Sequence, residues 1–303
     1  MYSPKISIIV PTLNMVCYIE NTIQSILNQS YDNLELIIID GGSTDGTLKL
    51  LEKYANHFSF YLTEPDEGMY HAITKGIDLS SGNIIAWLNA DDVYFPWTLS
   101  TVARVFSENS KIEWLCGVPA FISENGSLKK IYNNISAKSQ TAISNGWFRK
   151  NGFGYLQQES MFWRRELYRK AGGLDLQYKY AADFELWTKF ARWAELWSIN
   201  LPLAGFRLRK TSLSKKYECK YKDEVEIICR KFKSLPIPLL FFGKIRVLNW
   251  IVRLLTIKRT KIIHQPMSSE LLIYEERYRS HSSLTISQLL LEISKNKIDI
   301  KLL

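Results

Sequence analysis

Short apolar runs and three-to-four-residue periodicities take turns along the first third of the chain. Ile6-Ser7-Ile8-Ile9-Val10 is a β-rich run stopped by Pro11; Leu34 to Ile39, Phe58 to Leu62 and Asn83 to Leu88 follow the same pattern. Apolar runs of this length, bounded by turn residues, predict strands, the continuous ones buried. Between them Ile19, Ile23, Ile26 and Leu27, then Leu48, Leu51 and Tyr54, recur at helical spacing, and Tyr70 to Leu79 also predicts a helix. Regular alternation of strand and helix predicts an α/β fold: a mostly parallel sheet with crossover helices.

A parallel sheet gathers the carboxyl ends of its strands on one edge, where open α/β sheets place ligands. Four polar segments would meet there: Pro11 to Asn14, Asp40 to Ser43, Glu64 to Gly68, and Asp91-Asp92. Gly41, Gly42 and Gly46 let backbone approach a ligand, and Asp40 can accept hydrogen bonds from a base or ribose. The Asp91-Asp92 pair offers hard oxygen donors suited to a divalent cation that also holds phosphate oxygens. Taken singly, Asp40-Gly-Gly-Ser and Asp-Asp are also ordinary turn sequences.

The ordered set Ser7-Ile8-Ile9-Val10-Pro11-Thr12-Leu13-Asn14, Ile39-Asp40-Gly41-Gly42-Ser43-Thr44-Asp45-Gly46-Thr47, Glu64-Pro65-Asp66-Glu67-Gly68-Met69-Tyr70, Lys75-Gly76-Ile77 and Leu88-Asn89-Ala90-Asp91-Asp92 resembles family 2 of the nucleotide-sugar glycosyltransferases. That resemblance implies the GT-A fold and an inverting transfer from a nucleotide-diphosphate sugar. It puts Pro11, Thr12, Asn14, Asp40, Asp66 and Asp91 on the donor, with Asp40 near the base. The family's acidic metal motif, often Asp-x-Asp, falls on Asn89-Ala90-Asp91, so Mg2+ or Mn2+ is assigned to Asp91 and Asp92 together. Further on, Tyr155 to Arg165, Gly172 to Asp175 and Ala181-Ala182-Asp183-Phe184-Glu185-Leu186-Trp187 resemble the family's acceptor side. The catalytic base then falls on Asp183, with Glu185 in reserve and facing away, and acceptor contacts on Gln158 and Trp187. The apolar stripe Leu186, Trp187, Phe190 and Ala194 sets Asp183 at or near a helix start, where an N-cap is its structural role.

Three departures stand out. Gly41 replaces a frequent second acid, and Asn89 replaces the first acid of the metal motif. Arg209, in Gly205-Phe206-Arg207-Leu208-Arg209, holds a position that is usually histidine; arginine can bind phosphate but cannot ligate a cation. His71, on the predicted third helix, reads as a surface or packing residue.

Composition changes the picture mainly at the C-terminus. The 303 residues, 46% hydrophobic, suffice for a full core. We expect a catalytic domain over 1–215, with a nucleotide-sugar half at 1–110 and an acceptor half at 111–215, followed by a helical extension over 216–303. Cys17, Cys116, Cys219 and Cys229 lack pairing or metal-ligand spacing, which fits a reducing compartment. Neither a secretory signal nor a bilayer-spanning run is expected. The formal charge of +9 equals the nine Lys and Arg between Arg230 and Lys261, a stretch without Asp or Glu. Residues 245–257 form a basic amphipathic pattern, so residues 230–261 are expected to lie on an anionic membrane surface. The alternative is packing on the catalytic domain or a dimer partner; no motif supports nucleic acid. Residues 268–303 also look helical.

The resulting expectation is a polysaccharide-biosynthesis transferase, peripheral on the cytoplasmic face of a membrane, acting on a glycan or lipid-linked glycan. Its rivals are a sugar-phosphate nucleotidyltransferase, which would carry a Gly-rich, Lys/Arg-containing loop where Pro11-Thr12-Leu13-Asn14 stands, and a glycan- or nucleotide-binding protein with a decayed site.

Overall fold

Ile6 to Thr12 is buried at every position, and so is Glu35 to Asp40, because each strand is covered on both faces. In the computed structural model the described residues are 3–132, 138–149, 152, 154–232 and the strand backbones 259–264 and 271–276. The strands are β1 Ile6–Thr12, β2 Leu34–Asp40, β3 Phe60–Thr63, β4 Ile84–Trp87, β5 Val93–Tyr94, β6 Trp114–Cys116, β7 Ala120–Ile122, β8 Leu128–Ile131, β9 Met161–Arg164, β10 Leu196–Ile199, β11 Ala204–Arg207, β12 Arg259–His264 and β13 Leu271–Glu276. The helices are α1 Ile19–Leu27, α2 Thr47–Tyr54, α3 Met69–Leu79, α4 Thr98–Glu108, α5 Gln140–Ser144, α6 Arg165–Lys170, α7 Ala182–Trp193, α8 Leu213–Lys216 and α9 Glu218–Lys231.

One sheet has the order β13-β12-β10-β6-β9-β4-β1-β2-β3. Within it β9 runs against β4 and β6, and β13 against β12; the other pairings are parallel, as the alternating sequence predicts. The register Thr12↔Asp40↔Thr63 aligns three carboxyl ends on one edge. A smaller sheet, β5-β11-β7-β8, stands beyond the Asn89–Asp92 turn.

Two apolar clusters flank the large sheet. On one side, α1 and α4 cover Ile6, Ile8 and Val10. On the other, Trp87, Trp114, Trp163, Trp187 and Phe190 form a fully buried aromatic knot. Trp187 stacks on Trp87 at 5.7 Å and on Trp114 at 5.9 Å between ring centroids, which ties α7 to β4 and β6.

The C-terminus differs in part from its expected helical form. Residues 271–276 are a strand paired antiparallel with β12, which itself adds to β10. Leu271-Leu272-Ile273-Tyr274 is a short apolar run, and periodicity alone does not separate such a run from a helix. The basic amphipathic helix over 245–257 lies outside the described residues.

Candidate active site

The loops after β1 and β2 are stitched together by their own polar groups. Asn14 adopts a left-handed backbone (φ 54°); its N–H donates to Ser43 Oγ at 2.7 Å, and its Oδ1 accepts from the Thr44 N–H at 2.8 Å. Asp40, fully buried, accepts from the N–H groups of Gly42 (2.9 Å) and Ser43 (2.8 Å) and from the Ser43 hydroxyl. The carboxylate expected near the base therefore shapes the loop from within. Pro11 and Thr12 are buried at the strand end, and Thr12 Oγ1 has no partner among the described residues. An orphaned buried hydroxyl at the carboxyl end of a strand fits a group that a ligand satisfies.

Gly41, the missing second acid, has a spatial counterpart. A Cβ at position 41 would lie 2.7 Å from Asp66 Oδ2, so glycine leaves room for that carboxylate to rest against the β2 loop. Asp66 Oδ1 meanwhile accepts from the Gly68 N–H at 2.8 Å. An acid from the loop after β3 thus rests beside position 41. Sequence spacing alone gave no signal of this.

Past β4, the Asn89–Asp92 turn separates the two adjacent acids. Asp92 is buried; its Oδ1 accepts from the Arg207 N–H at 2.8 Å, and Asn89 Nδ2 reaches Oδ2 at 3.4 Å. Burial, with Asp91 and Glu159 nearby, pushes the Asp92 carboxyl well above the ordinary range. Asp91 instead pairs with Arg209 Nε through Oδ2, while its carbonyl accepts from Arg207 Nε at 2.6 Å. Arg209 is 8% exposed, its guanidinium 5.2 Å from the Tyr18 ring, and among the described residues its contacts besides Asp91 are long ones, to Thr211 Oγ1 (3.4 Å) and Met15 Sδ (3.6 Å).

Among the described residues no three His, Cys, Asp or Glu side chains are grouped to hold a metal. The donors present fit a cation held by Asp91 together with phosphate oxygens, the arrangement Mg2+ favours, rather than an all-protein cage. Asp92 supports the turn beneath it.

Gln158 belongs to this turn. Its Nε2 donates to the Trp87 carbonyl at 2.6 Å and its Oε1 accepts from Asn89 Nδ2 at 3.3 Å, so both ends of its amide are engaged at the Asn89–Asp92 turn. Its neighbour Glu159 is 3% exposed, its Oε1 has no partner among the described residues, and burial, aided by Asp91, pushes its carboxyl up to about 8. Glu159 is then protonated in the folded state where it ionises in the unfolded chain. From near pH 4.5 to near pH 8 the folded state holds the extra proton, so this residue makes stability fall as pH rises through that window. We expect Glu159→Gln to flatten the decline, read as denaturation midpoints at pH 5 and about 8 in metal-free buffer.

Asp183 is the second residue of α7; the N-cap is Ala181, which has no capping side chain. Tyr70 on α3 donates its hydroxyl to Asp183 Oδ1 at 2.9 Å. Burial raises the Asp183 carboxyl above its ordinary value, against bonds from the Phe184 N–H and the Tyr70 hydroxyl that favour its charged form. A carboxylate so placed can accept a proton from a hydroxyl brought against it. Asp183 lines a cavity with Phe148, Leu156, Trp187 and Tyr221. Trp187, itself 2% exposed, contributes an edge of that wall from the aromatic knot. Glu185 is buried, 2.8 Å from Lys189 Nζ, and is not among the cavity's lining residues. His71 Nδ1 accepts from the Glu67 N–H at 3.1 Å, a local loop bond.

Residues 7–170 match the family model for Glycosyl transferase family 2. The chain belongs to this family. It is 30% identical over 191 residues, 61% of this chain and 69% of the other, to a PGL/p-HBAD biosynthesis glycosyltransferase of Mycobacterium bovis (strain BCG / Pasteur 1173P2). Among solved structures it resembles the mannosyltransferase PcManGT of Pyrobaculum calidifontis in complex with GDP-Man and Mn2+ (TM-score 0.57, 19% identity, covering 84% of this chain and 71% of that one). It also resembles S. aureus TarS (TM-score 0.55, 19% identity), covering 74% of this chain and spanning 39% of that one. TarS 1-349 has also been solved with UDP-GlcNAc. The fold is the GT-A glycosyltransferase fold, and the protein is a transferase enzyme. No helix among the described residues is long and apolar enough to cross a membrane.

Proposed function

We propose that this enzyme moves a sugar, with inversion, from a nucleoside diphosphate sugar to a hydroxyl of a glycan or lipid-linked glycan. The observation that carries the reading is the mounting of two acids on elements locked together by stacked indoles. Asp91 follows β4 and Asp183 opens α7, while Trp87 of β4 stacks on Trp187, one helical turn past Asp183. An in-line displacement needs the leaving group and the base held at fixed places on opposite sides of the reacting carbon. Rigid elements fix such geometry better than loops do.

In this mechanism the loops after β1 and β2, with Thr12, Asn14 and Asp66, seat the nucleotide. Asp183 takes the proton of the acceptor hydroxyl as the new bond to the anomeric carbon forms and the bond to diphosphate breaks. Arg209, paired through Nε with Asp91, faces the departing phosphates with its two terminal nitrogens, whose contacts among the described residues are long. A Mg2+ or Mn2+ ion held by Asp91 would neutralise diphosphate charge. The GDP-Man and Mn2+ of PcManGT and the UDP-GlcNAc of TarS support this class of donor and ion.

Binding of UDP, GDP and dTDP sugars by titration calorimetry, with and without Mn2+, tests the donor reading. One nucleotide class should bind, more tightly with Mn2+; no binding of any, metal present, would sink it. Arg209→His should make binding more dependent on Mn2+, because histidine removes the fixed cation beside Asp91. The metal-free affinity is expected to fall about tenfold, the scale of one charge-assisted hydrogen bond. An equal loss with and without Mn2+ would separate Arg209 from the phosphate site.

The basic stretch 230–261 supports a membrane-surface location for the acceptor. Its attachment should show as co-flotation with phosphatidylserine vesicles that weakens with salt; absence of flotation at low salt would remove the membrane from the reading.

A further inference from the structure

Helix α9 lies beyond the family match, which ends at residue 170, yet it reaches the segment that presents Asp183. Its Glu224 carboxylate accepts three consecutive backbone N–H groups: Lys179 at 2.9 Å through Oε1, and Tyr180 and Ala181, both at 2.8 Å, through Oε2. Those amides lead directly into the first turn of α7, whose N-cap, Ala181, carries no capping side chain. These three amides lie just ahead of the helix's own unpartnered first-turn amides, and a carboxylate beside a helix start is stabilised by the helix dipole. Val225, Ile228 and Cys229 bury the adjoining face of α9 in the cluster that holds Ala181, Ala182 and Phe184. Tyr221, one turn earlier, lines the cavity at Asp183.

We infer that Glu224 is a positioning residue: it clamps Lys179 to Ala181, the segment that leads into α7, so that Asp183 is held toward the cavity and the Tyr70 hydroxyl. The inference rests on the assignment of Asp183 as base for its catalytic consequence, although the tether itself does not. Without Glu224, three amides lose their acceptor, and the Asp183 carboxylate, already bonded to the Phe184 N–H, becomes free to turn to local backbone amides as Asp side chains do at helix starts. Glu224 therefore keeps Asp183 for chemistry instead of capping. The ionisable groups facing Asp183 are Tyr70 from α3 and Tyr221 and Glu224 from α9. Of these carboxyl and phenol groups, Glu224 brings a negative charge, which raises the Asp183 carboxyl.

The test compares wild type, Glu224→Gln, Glu224→Asp and Glu224→Ala in the full chain. Amide hydrogen exchange reports the tether, and the 13C-carboxyl titration of Asp183, assigned by its absence in Asp183→Asn, reports the charge. Glu224→Ala should speed exchange at Lys179 to Ala181 at least about tenfold, the effect of losing one hydrogen bond's worth of protection. Glu224→Gln should keep part of that protection and lower the Asp183 titration midpoint, a shift that loss of packing alone would not give. Glu224→Asp keeps the charge but shortens the reach, so it should retain the midpoint better than Glu224→Gln. Unchanged exchange in Glu224→Ala, or an unchanged midpoint in Glu224→Gln, overturns the inference. Hydrolysis of UDP-GlcNAc and GDP-mannose by the same variants separates the two claims. If Asp183→Asn leaves sugar-nucleotide hydrolysis intact while the Glu224 variants behave as expected, the base assignment fails and the tether stands.

Discussion

Asp183→Asn is expected to reduce sugar transfer by about 10²–10⁴-fold, the usual contribution of a general base, with nucleotide affinity changed by no more than about twofold. The amide keeps the shape of the side chain and can still meet Tyr70, but it offers no basic oxygen to an incoming hydroxyl. In the proposed mechanism the donor is held elsewhere, on the loops after β1, β2, β3 and β4, so binding should survive. The Tyr70 bond also predicts a pH effect. Tyr70 donates to Asp183 and favours its ionised form, so Tyr70→Phe should raise the midpoint of the ascending limb of the pH–rate profile. Below that limb the base is protonated and idle. A steady-state profile with the best donor of the binding panel checks both. A fall in nucleotide affinity as large as the fall in turnover would place Asp183 in donor binding instead.

Much of this was legible from local pattern. The four strands ahead of residue 90 and the polar residues at their ends follow from apolar runs and turn chemistry, because a parallel sheet aligns strand ends whatever the residues between them. The placement of Asp183 on the first turn of α7 followed from the apolar stripe behind it. What the pattern could not show are pairings across long stretches of chain. Arg209 meets Asp91 over 118 residues, and Glu224 meets Lys179 over 45. Such contacts depend on how the small sheet and α9 dock, which no periodicity encodes. Asp66 resting on Gly41 is of the same kind: the space that a missing Cβ leaves is visible only once β2 and the loop after β3 are side by side. Trp187 shows the reverse case. Its motif position suggested the acceptor, whereas stacking between Trp87 and Trp114 places most of it in the core.

Asp91→Asn should abolish the Mn2+-dependent part of nucleotide binding and also weaken the fold, for two separable reasons. The carboxylate is the accessible hard donor of the turn, since Asp92 is spent on the Arg207 N–H and Asn89. It is also the charge partner of Arg209, whose side chain is 9% exposed against 13% for Asp91. Removing one member of a largely buried pair leaves the other uncompensated, a cost of about 3 kcal/mol. An apolar residue at 209 removes the stranded charge. The double variant Asp91→Asn/Arg209→Met should therefore recover much of the stability lost by Asp91→Asn, without recovering binding. Urea denaturation of the four members of this cycle gives the first quantity, and calorimetry with Mn2+ the second. Stability and binding recovered together would mean that Asp91 serves only to hold Arg209, and that the cation is held by other groups. Stability recovered alone would assign Asp91 both tasks: to pair with arginine while the site is empty, and to hold the cation when diphosphate arrives.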